Sequence, residues 1–110
     1  MKELKGSVRT VVVEELKRAN KKFPLFHSDH EGVAIIEEEK IEAKEEIDRV
    51  HKTMWILKNQ VFKDYPDKAI NSVEILRDHA ISAASELIQV AAMCEKFIMS
   101  RKERNEVHGK

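Results

Sequence analysis

Glutamates dominate one short stretch of this chain of 110 residues. The segment EGVAIIEEEKIEAKEEI, residues 31–47, holds seven of them among apolar side chains at helical spacing. Carboxylate oxygens are the ligands that a hard divalent cation such as Mg²⁺ prefers in proteins. The chemistry of this segment therefore depends on which glutamates face a packing surface and which face water.

A helical wheel divides the six glutamates that follow Glu31. At about 100° per residue, with Ala43 at zero, Glu39 falls at about −40°, inside the apolar stripe. Glu46 falls at the margin of the stripe, and Glu42 just beyond it. The glutamates that we expect to face water are Glu37, Glu38 and Glu45. Because a buried unpaired carboxylate is costly, Glu39 requires either a Lys or Arg from a neighbouring helix or a divalent cation.

A second acidic position lies late in the chain. With Leu87 at zero on the wheel, Glu86 flanks the apolar stripe at about −100°, and Gln89 lies one turn further on the same side. If the two acidic helices pair in antiparallel fashion, Glu86 can lie opposite Glu39 and Glu42. The wheel alone leaves a salt-bridge network and a metal site both open.

The elements that position these residues are predicted to be helices. Pro24 stops the first one, Ser28 and Glu31 form a capping box at the start of the second, and Pro66 suits the first turn of the third. We predict helices at about residues 6–22, 29–63 and 66–103. A break near 71–72 or 82–85 is the alternative.

Apolar side chains at spacings of three and four define the faces that should pack. On the second helix the predicted stripe is Ile36, Ala43, Ile47, Val50, Met54, Leu57 and Val61. On the third it is Val73, Leu76, Ala80, Ala83, Leu87, Val90, Ala91, Cys94 and Ile98. Cys94 is thereby expected in the core, and Lys96, Arg101 and Lys102 are interpreted as charges near the helix end, with contacts to phosphate as the alternative.

The composition indicates a single all-α domain over residues 1–110. Three Gly and two Pro leave few turns, so long helices are expected. The second and third would each be roughly 50 Å long, and a thin pair of this kind favours a homo-oligomer, a helical bundle of long antiparallel helices.

The same totals argue against several classes of protein. Acidic and basic residues balance at 20 each, so neither nucleic acid nor an anionic membrane is an expected partner. No apolar run is long enough for a transmembrane helix, and no signal peptide is visible. With a single cysteine, a reducing compartment is expected, and we predict a cytoplasmic protein.

Two motifs resemble a known family. Residues 38–42 read EExxE, and Glu86-Leu87-Ile88-Gln89 occupies the place of an ExxD motif. These are the motifs of the MazG-like all-α nucleoside triphosphate pyrophosphohydrolases. The segments FPLFHSDHEGVAIIEEE and ELIQVAAM, in this order, are similar to small MazG-like proteins of Gram-positive bacteria and their phages. The resemblance covers roughly residues 17–100.

The resemblance implies a function. Members of the family are helical dimers or tetramers that use Mg²⁺, and Mn²⁺ is a possible substitute. They hydrolyse a nucleoside triphosphate to the monophosphate and pyrophosphate. Carried over by position, the catalytic and metal-binding residues are Glu39, Glu42 and Glu86, with Gln89 as a fourth metal ligand.

Two departures from the family pattern leave a second reading open. Gln89 replaces an aspartate and brings no negative charge, so weaker metal binding is expected, which Glu46 or Asp48 could offset. The 43 residues between Glu42 and Glu86 exceed the usual gap. The alternative is a catalytically weakened or inactive helical oligomer that serves as an interaction module. A purely structural coiled coil is disfavoured by Glu39, which lies off the heptad.

Overall fold

The computed structural model describes residues 2–108 as three helices with short connections. They are α1 (Lys2–Lys22), α2 (Asp29–Phe62) and α3 (Pro66–His108), and no strand occurs among these residues. The all-α prediction is confirmed. Helix α1 begins earlier and α3 ends later than expected, and neither proposed break in α3 is present. Within the described range, no helix is long and apolar enough to cross a membrane.

Local chemistry sets the helix boundaries. At the start of α2, the Glu31 backbone N–H donates to Ser28 Oγ over 3.1 Å, one half of the expected capping box. At its end, Asp64 adopts a left-handed φ of 57°. The backbone N–H of Tyr65 bonds to the carbonyl of Gln60, and that of Asp64 to Val61, which is the Schellman pattern. Helix α3 then begins at the proline.

The described residues form two compact units, and the division falls inside α2 and α3. The second unit, Ile41–Glu86, is a hairpin of two half-helices. A heptad of buried and half-buried positions runs along each helix, with intervals of three and four residues. On α2 these positions are Ala43, Glu46, Val50, Thr53, Leu57 and Gln60; on α3 they are Ser72, Leu76, His79, Ala83 and Glu86. Other residues beside these positions are half-buried as well, namely Ile47, Ile56, Asn59 and Ala69.

Polar and apolar side chains alternate along this seam. Ser72 Oγ donates to Gln60 Oε1 over 2.6 Å, and His79 Nδ1 lies 3.4 Å from Glu46 Oε2. The side chain of Thr53 is also buried. Every second position of these two heptads is therefore polar.

The predicted stripes coincide with only half of this seam. They share Ala43, Val50 and Leu57 on α2 and Leu76 and Ala83 on α3. Ile47, which was also predicted, is half-buried beside the seam. The prediction was wrong for the stripe residues that the structure leaves exposed, which are Met54, Val61, Val73, Ala80, Leu87, Cys94 and Ile98. A stripe that is chosen from apolar residues alone lies on a different face of the helix from the observed seam, because every second seam position is polar. Cys94 in particular is exposed rather than part of the core.

The first unit comprises the described residues up to Lys40 and from Leu87 onward. Its core joins Val12 of α1, Phe26 of the connecting loop, and Ala92 and Met93 of α3. Gly32 allows α2 to approach this core closely. A Cβ at that position would meet the Phe97 ring at 2.5 Å, which no real Cβ contact tolerates.

The connecting loop is fastened to α3 by hydrogen bonds. The Phe26 N–H donates to Ser100 Oγ over 2.9 Å, and the Ser100 hydroxyl donates to the carbonyl of Lys96 over 2.7 Å. Arg104 donates to the Phe26 carbonyl and, together with Arg101, pairs with Asp29. These arginines therefore hold the loop and the start of α2, rather than neutralising the end of α3 as expected.

Ser100→Ala should destabilise the protein by about 1–3 kcal/mol, since it leaves the buried Phe26 N–H without an acceptor. Ser85→Ala is the matched control, because Ser85 also donates to the carbonyl four residues earlier but is exposed. Urea unfolding followed by circular dichroism gives both free energies. Equal effects of the two substitutions would contradict the role of Ser100 as the loop anchor.

Candidate metal centre and cleft

Three of the acidic residues singled out by the sequence lie together. Glu39 and Glu42 are one turn apart on α2, and Glu86 lies beside Glu42 across the helix pair. Each offers one carboxylate oxygen, and these oxygens all lie within 4.8 Å of one another. Glu39 and Glu86 are half-buried and Glu42 is exposed. A single hard cation could contact all three at this spacing.

The three carboxylates of this acidic cluster carry like charges and lie close together. The pKa of Glu86 is raised above its usual 4.5, first by burial, then by the charge and hydrogen bond of Glu42, and then by the charge of Glu46. Glu46 itself pairs with Arg49 at 2.6 Å and lies beside His79. Within the described range, neither Glu42 nor Glu86 forms an ion pair with Lys or Arg.

The fourth proposed ligand has a different neighbour. The Gln89 amide donates from Nε2 to Glu15 Oε2 over 2.7 Å, and Glu15 also pairs with Arg18. Gln89 therefore links α3 to α1 within the first unit. Sequence reasoning gave no role to Glu15, because an acid on an amphipathic helix carries no signal of its cross-helix partner.

A cleft of about 480 Å³ lies within the first unit, in the size range of small-molecule sites. Its apolar lining comprises Ala19, Phe23, Pro24, Phe26, Ile35 and Met93. Its polar lining comprises Glu15, Arg18, Lys22, Glu31, Glu38, Glu39, Gln89 and Lys96. The cleft thus combines an apolar surface with charges of both signs, and it includes Glu39 of the acidic cluster.

Lys96 is the least expected member of the cleft. Its side chain is only 3% exposed, and Nζ lies 5.1 Å from the centroid of the Phe26 ring. Burial lowers the pKa of this amine, and the charge of Glu31 acts in the opposite direction. The interpretation as a charge near the helix end was wrong. The one indication in the sequence was that Lys96 follows Gln89 by a heptad and therefore lies on the same face of α3.

No family model, curated protein or solved structure matches this chain. The resemblance to the MazG-like enzymes consequently rests on the EExxE and ExxD-like segments, and the family stays a hypothesis. The geometry of the three glutamates stands independently of it.

Glu86→Gln should flatten the dependence of stability on pH when EDTA removes metal ions. The folded protein holds the Glu86 proton more tightly than the unfolded chain does, because the folded pKa lies above 4.5. Stability is therefore lost as the pH rises from 4.5 through the raised pKa. Free energies of unfolding across this range check the effect.

The control for this comparison is Glu45→Gln, which neutralises an exposed glutamate of the same helix. Its pH profile should keep the slope of the unmodified protein. If Glu86→Gln keeps that slope as well, the crowding of carboxylates at Glu86 is not present in solution.

Proposed function

We propose that this protein is a Mg²⁺-dependent nucleoside triphosphate pyrophosphohydrolase, which converts a (d)NTP to the (d)NMP and pyrophosphate. The observation that carries the proposal is the approach of the Glu39, Glu42 and Glu86 oxygens to within 4.8 Å of one another. The EExxE motif and the ELIQVAAM segment support it, since they supply these same residues.

The residues present fit a magnesium ion. All three are carboxylates, the ligand type that Mg²⁺ prefers. The pKa of Glu86 is raised first by burial and then by the charges of Glu42 and Glu46, and a divalent cation would relieve the repulsion between these carboxylates. Glu39, Glu42 and Glu86 would hold the ion, or Mn²⁺ in its place. When bound, the metal would neutralise phosphate charge and acidify a water molecule.

The cleft supplies the binding surface for the rest of a nucleotide. Phe23 is 66% exposed along it, so one aromatic ring is available to stack on a base. Met93 and Ile35 line the apolar part and exclude water from it. Because Glu39 also lines this cleft, a ligand held there contacts one residue of the acidic cluster directly.

One observation favours a second candidate, a non-catalytic helical oligomer. Gln89 stands where the family pattern has an aspartate, and its amide is already committed to Glu15. The cluster then has three negative charges rather than four, and metal affinity falls. A protein that kept the scaffold but lost the chemistry would show the same arrangement.

The test is release of pyrophosphate from the common NTPs and dNTPs, together with melting temperature, with and without millimolar Mg²⁺ or Mn²⁺. The metal should raise the melting temperature and support hydrolysis. Glu39→Gln should abolish both effects because it removes a charged ligand. Glu45→Gln, the exposed control, should retain both.

The outcomes separate the two candidates. A metal-dependent rise in melting temperature without pyrophosphate release favours the inactive oligomer. The absence of any metal effect at millimolar concentration contradicts the metal centre itself.

We also propose that the protein forms a homo-oligomer through the hairpin of the second unit. Large apolar side chains remain uncovered there, and large apolar surfaces of this kind are typical of protein interfaces. Those at least 40% exposed are Ile41, Met54, Trp55, Val61, Phe62, Tyr65, Ile70, Val73, Ile75 and Ile81. A second copy of the chain fits this surface, since both copies would bury the same apolar residues.

Ile70→Lys should weaken self-association by about 100-fold or more. Each copy loses roughly 1.5–3 kcal/mol of apolar burial, and a symmetric dimer loses it twice. Light scattering after size exclusion measures the oligomeric state over a dilution series. Glu74→Lys, an exposed change of charge on the same helix, should leave it unchanged. A monomeric unmodified protein at micromolar concentration would exclude this interface.

A further inference from the structure

The cleft of the first unit has charged groups at both ends of an apolar middle. Gln89, Met93 and Lys96 succeed one another on α3 over about 10 Å. On α2, Glu31, Ile35 and Glu39 succeed one another at intervals of four residues, over about 12 Å. Gly32 lies against Phe97, so Glu31 lies near Lys96 at one end of the cleft. Glu39 lies at the opposite end. The end distant from Glu39 therefore presents one cation and one anion.

Lys96 is built into the wall of the cleft rather than carried on the surface. Only 3% of it is exposed, yet no hydrogen bond or ion pair to Nζ is present among the described residues. The face of Phe26, 5.1 Å away, is its one specific contact. Of the described polar side-chain atoms, only Asn20 Oδ1 is both fully enclosed and unpaired. Lys96 Nζ therefore retains access to the cleft, where a ligand can accept from its unused donors.

The carboxylate of Glu31 is also available. The expected return contact from Glu31 to the Ser28 N–H does not occur in the described structure; the Ser28 cap uses only the backbone N–H of Glu31. Glu31 is half-buried and lines the same cleft as Lys96, without forming a salt bridge to it. The two opposite charges thus face a shared space that a polar ligand edge can enter.

We propose that Lys96 and Glu31 select a guanine base. Lys96 Nζ donates to the O6 carbonyl oxygen, and the Glu31 carboxylate accepts from the N1–H and N2–H groups. The inference rests on the proposed function, since it takes the ligand of the cleft to be a nucleotide. It adds the base preference, which neither the motifs nor the acidic cluster determine.

The pattern of donors and acceptors distinguishes guanine from the other bases. Guanine offers a carbonyl oxygen next to two N–H donors, which matches a lysine beside a carboxylate. Adenine and cytosine offer Lys96 a ring-nitrogen acceptor but offer the Glu31 carboxylate only one amino group beside it, so one hydrogen bond fewer forms. Uracil and thymine have a second carbonyl oxygen, which would face the Glu31 carboxylate. Phe23 can stack on any of the four rings and adds affinity without selectivity.

The experiment measures binding of dGMP, dAMP, dCMP and dTMP by calorimetry in EDTA, so that neither metal nor hydrolysis contributes. The unmodified protein should bind dGMP at least tenfold more tightly than the others. Lys96→Met and Glu31→Gln should each reduce this preference about tenfold or more, because each leaves a polar edge of the base unpaired.

Lys102→Met is the matched control, because Lys102 is an exposed lysine of α3 outside the cleft. It should leave the preference intact. Circular dichroism verifies that each variant folds, and the preference of the unmodified protein tests the proposal without any substitution. Equal affinity for the four nucleotides, or no binding of dGMP at millimolar concentration, overturns the assignment.

A parallel measurement of KM with dGTP and dATP separates this inference from the proposed function. A dGMP preference that depends on Lys96, in a protein that hydrolyses no triphosphate, refutes only the catalytic proposal. Hydrolysis with equal KM for both substrates, unchanged by Lys96→Met, refutes only the base assignment.

Discussion

The central constraint on this protein is a helix seam with polar side chains at every second position. An apolar residue at each of these positions would pack with less desolvation cost. The hairpin instead contains a Gln60–Ser72 hydrogen bond and a contact between Glu46 and His79. Glu86 continues the same heptad, but its neighbours are acidic, so its carboxylate has no cationic partner within the described chain.

This alternation also limits how much apolar surface the hairpin can bury. Ala43 and Ala83 are its only fully buried apolar residues among those described, and both are small. The larger seam residues Val50, Leu57 and Leu76 are half-buried, and most other large apolar side chains of the hairpin lie beside the seam and are exposed. A polar seam and an uncovered apolar flank are thus two consequences of one pattern, and the proposed cation and the proposed second copy of the chain would each bind to one of them.

In the first unit, the main structural requirement is to hold an irregular loop against the helices. Ser100 and Arg104 satisfy the backbone of Phe26, and Gly32 lets the aromatic rings approach α2. The loop held in this way leaves a cleft whose wall includes the largely buried Lys96. Charged groups in such surroundings interact strongly with a ligand, since little water competes.

Several features of the chain were predictable because they depend on neighbours in sequence. The Ser28 cap and the start of α3 at Pro66 involve contacts within one helical turn. The spacing of Glu39 and Glu42 is likewise local, so their common face followed from the wheel. Their proximity to Glu86 required only that two long helices pair in antiparallel fashion.

The sequence by itself determined the three helices, the boundaries at their two connections and the acidic face of α2, since backbone propensity, capping and helical period are local. Only the tertiary structure decided which face of α3 is buried, because polar residues such as His79 lie in the seam and apolar ones such as Leu87 lie outside it. It likewise decided that Gln89 bonds to Glu15 and that Lys96 is enclosed. Burial of a charged side chain depends on what distant segments place around it, and a pattern of residue types along one helix does not contain that information.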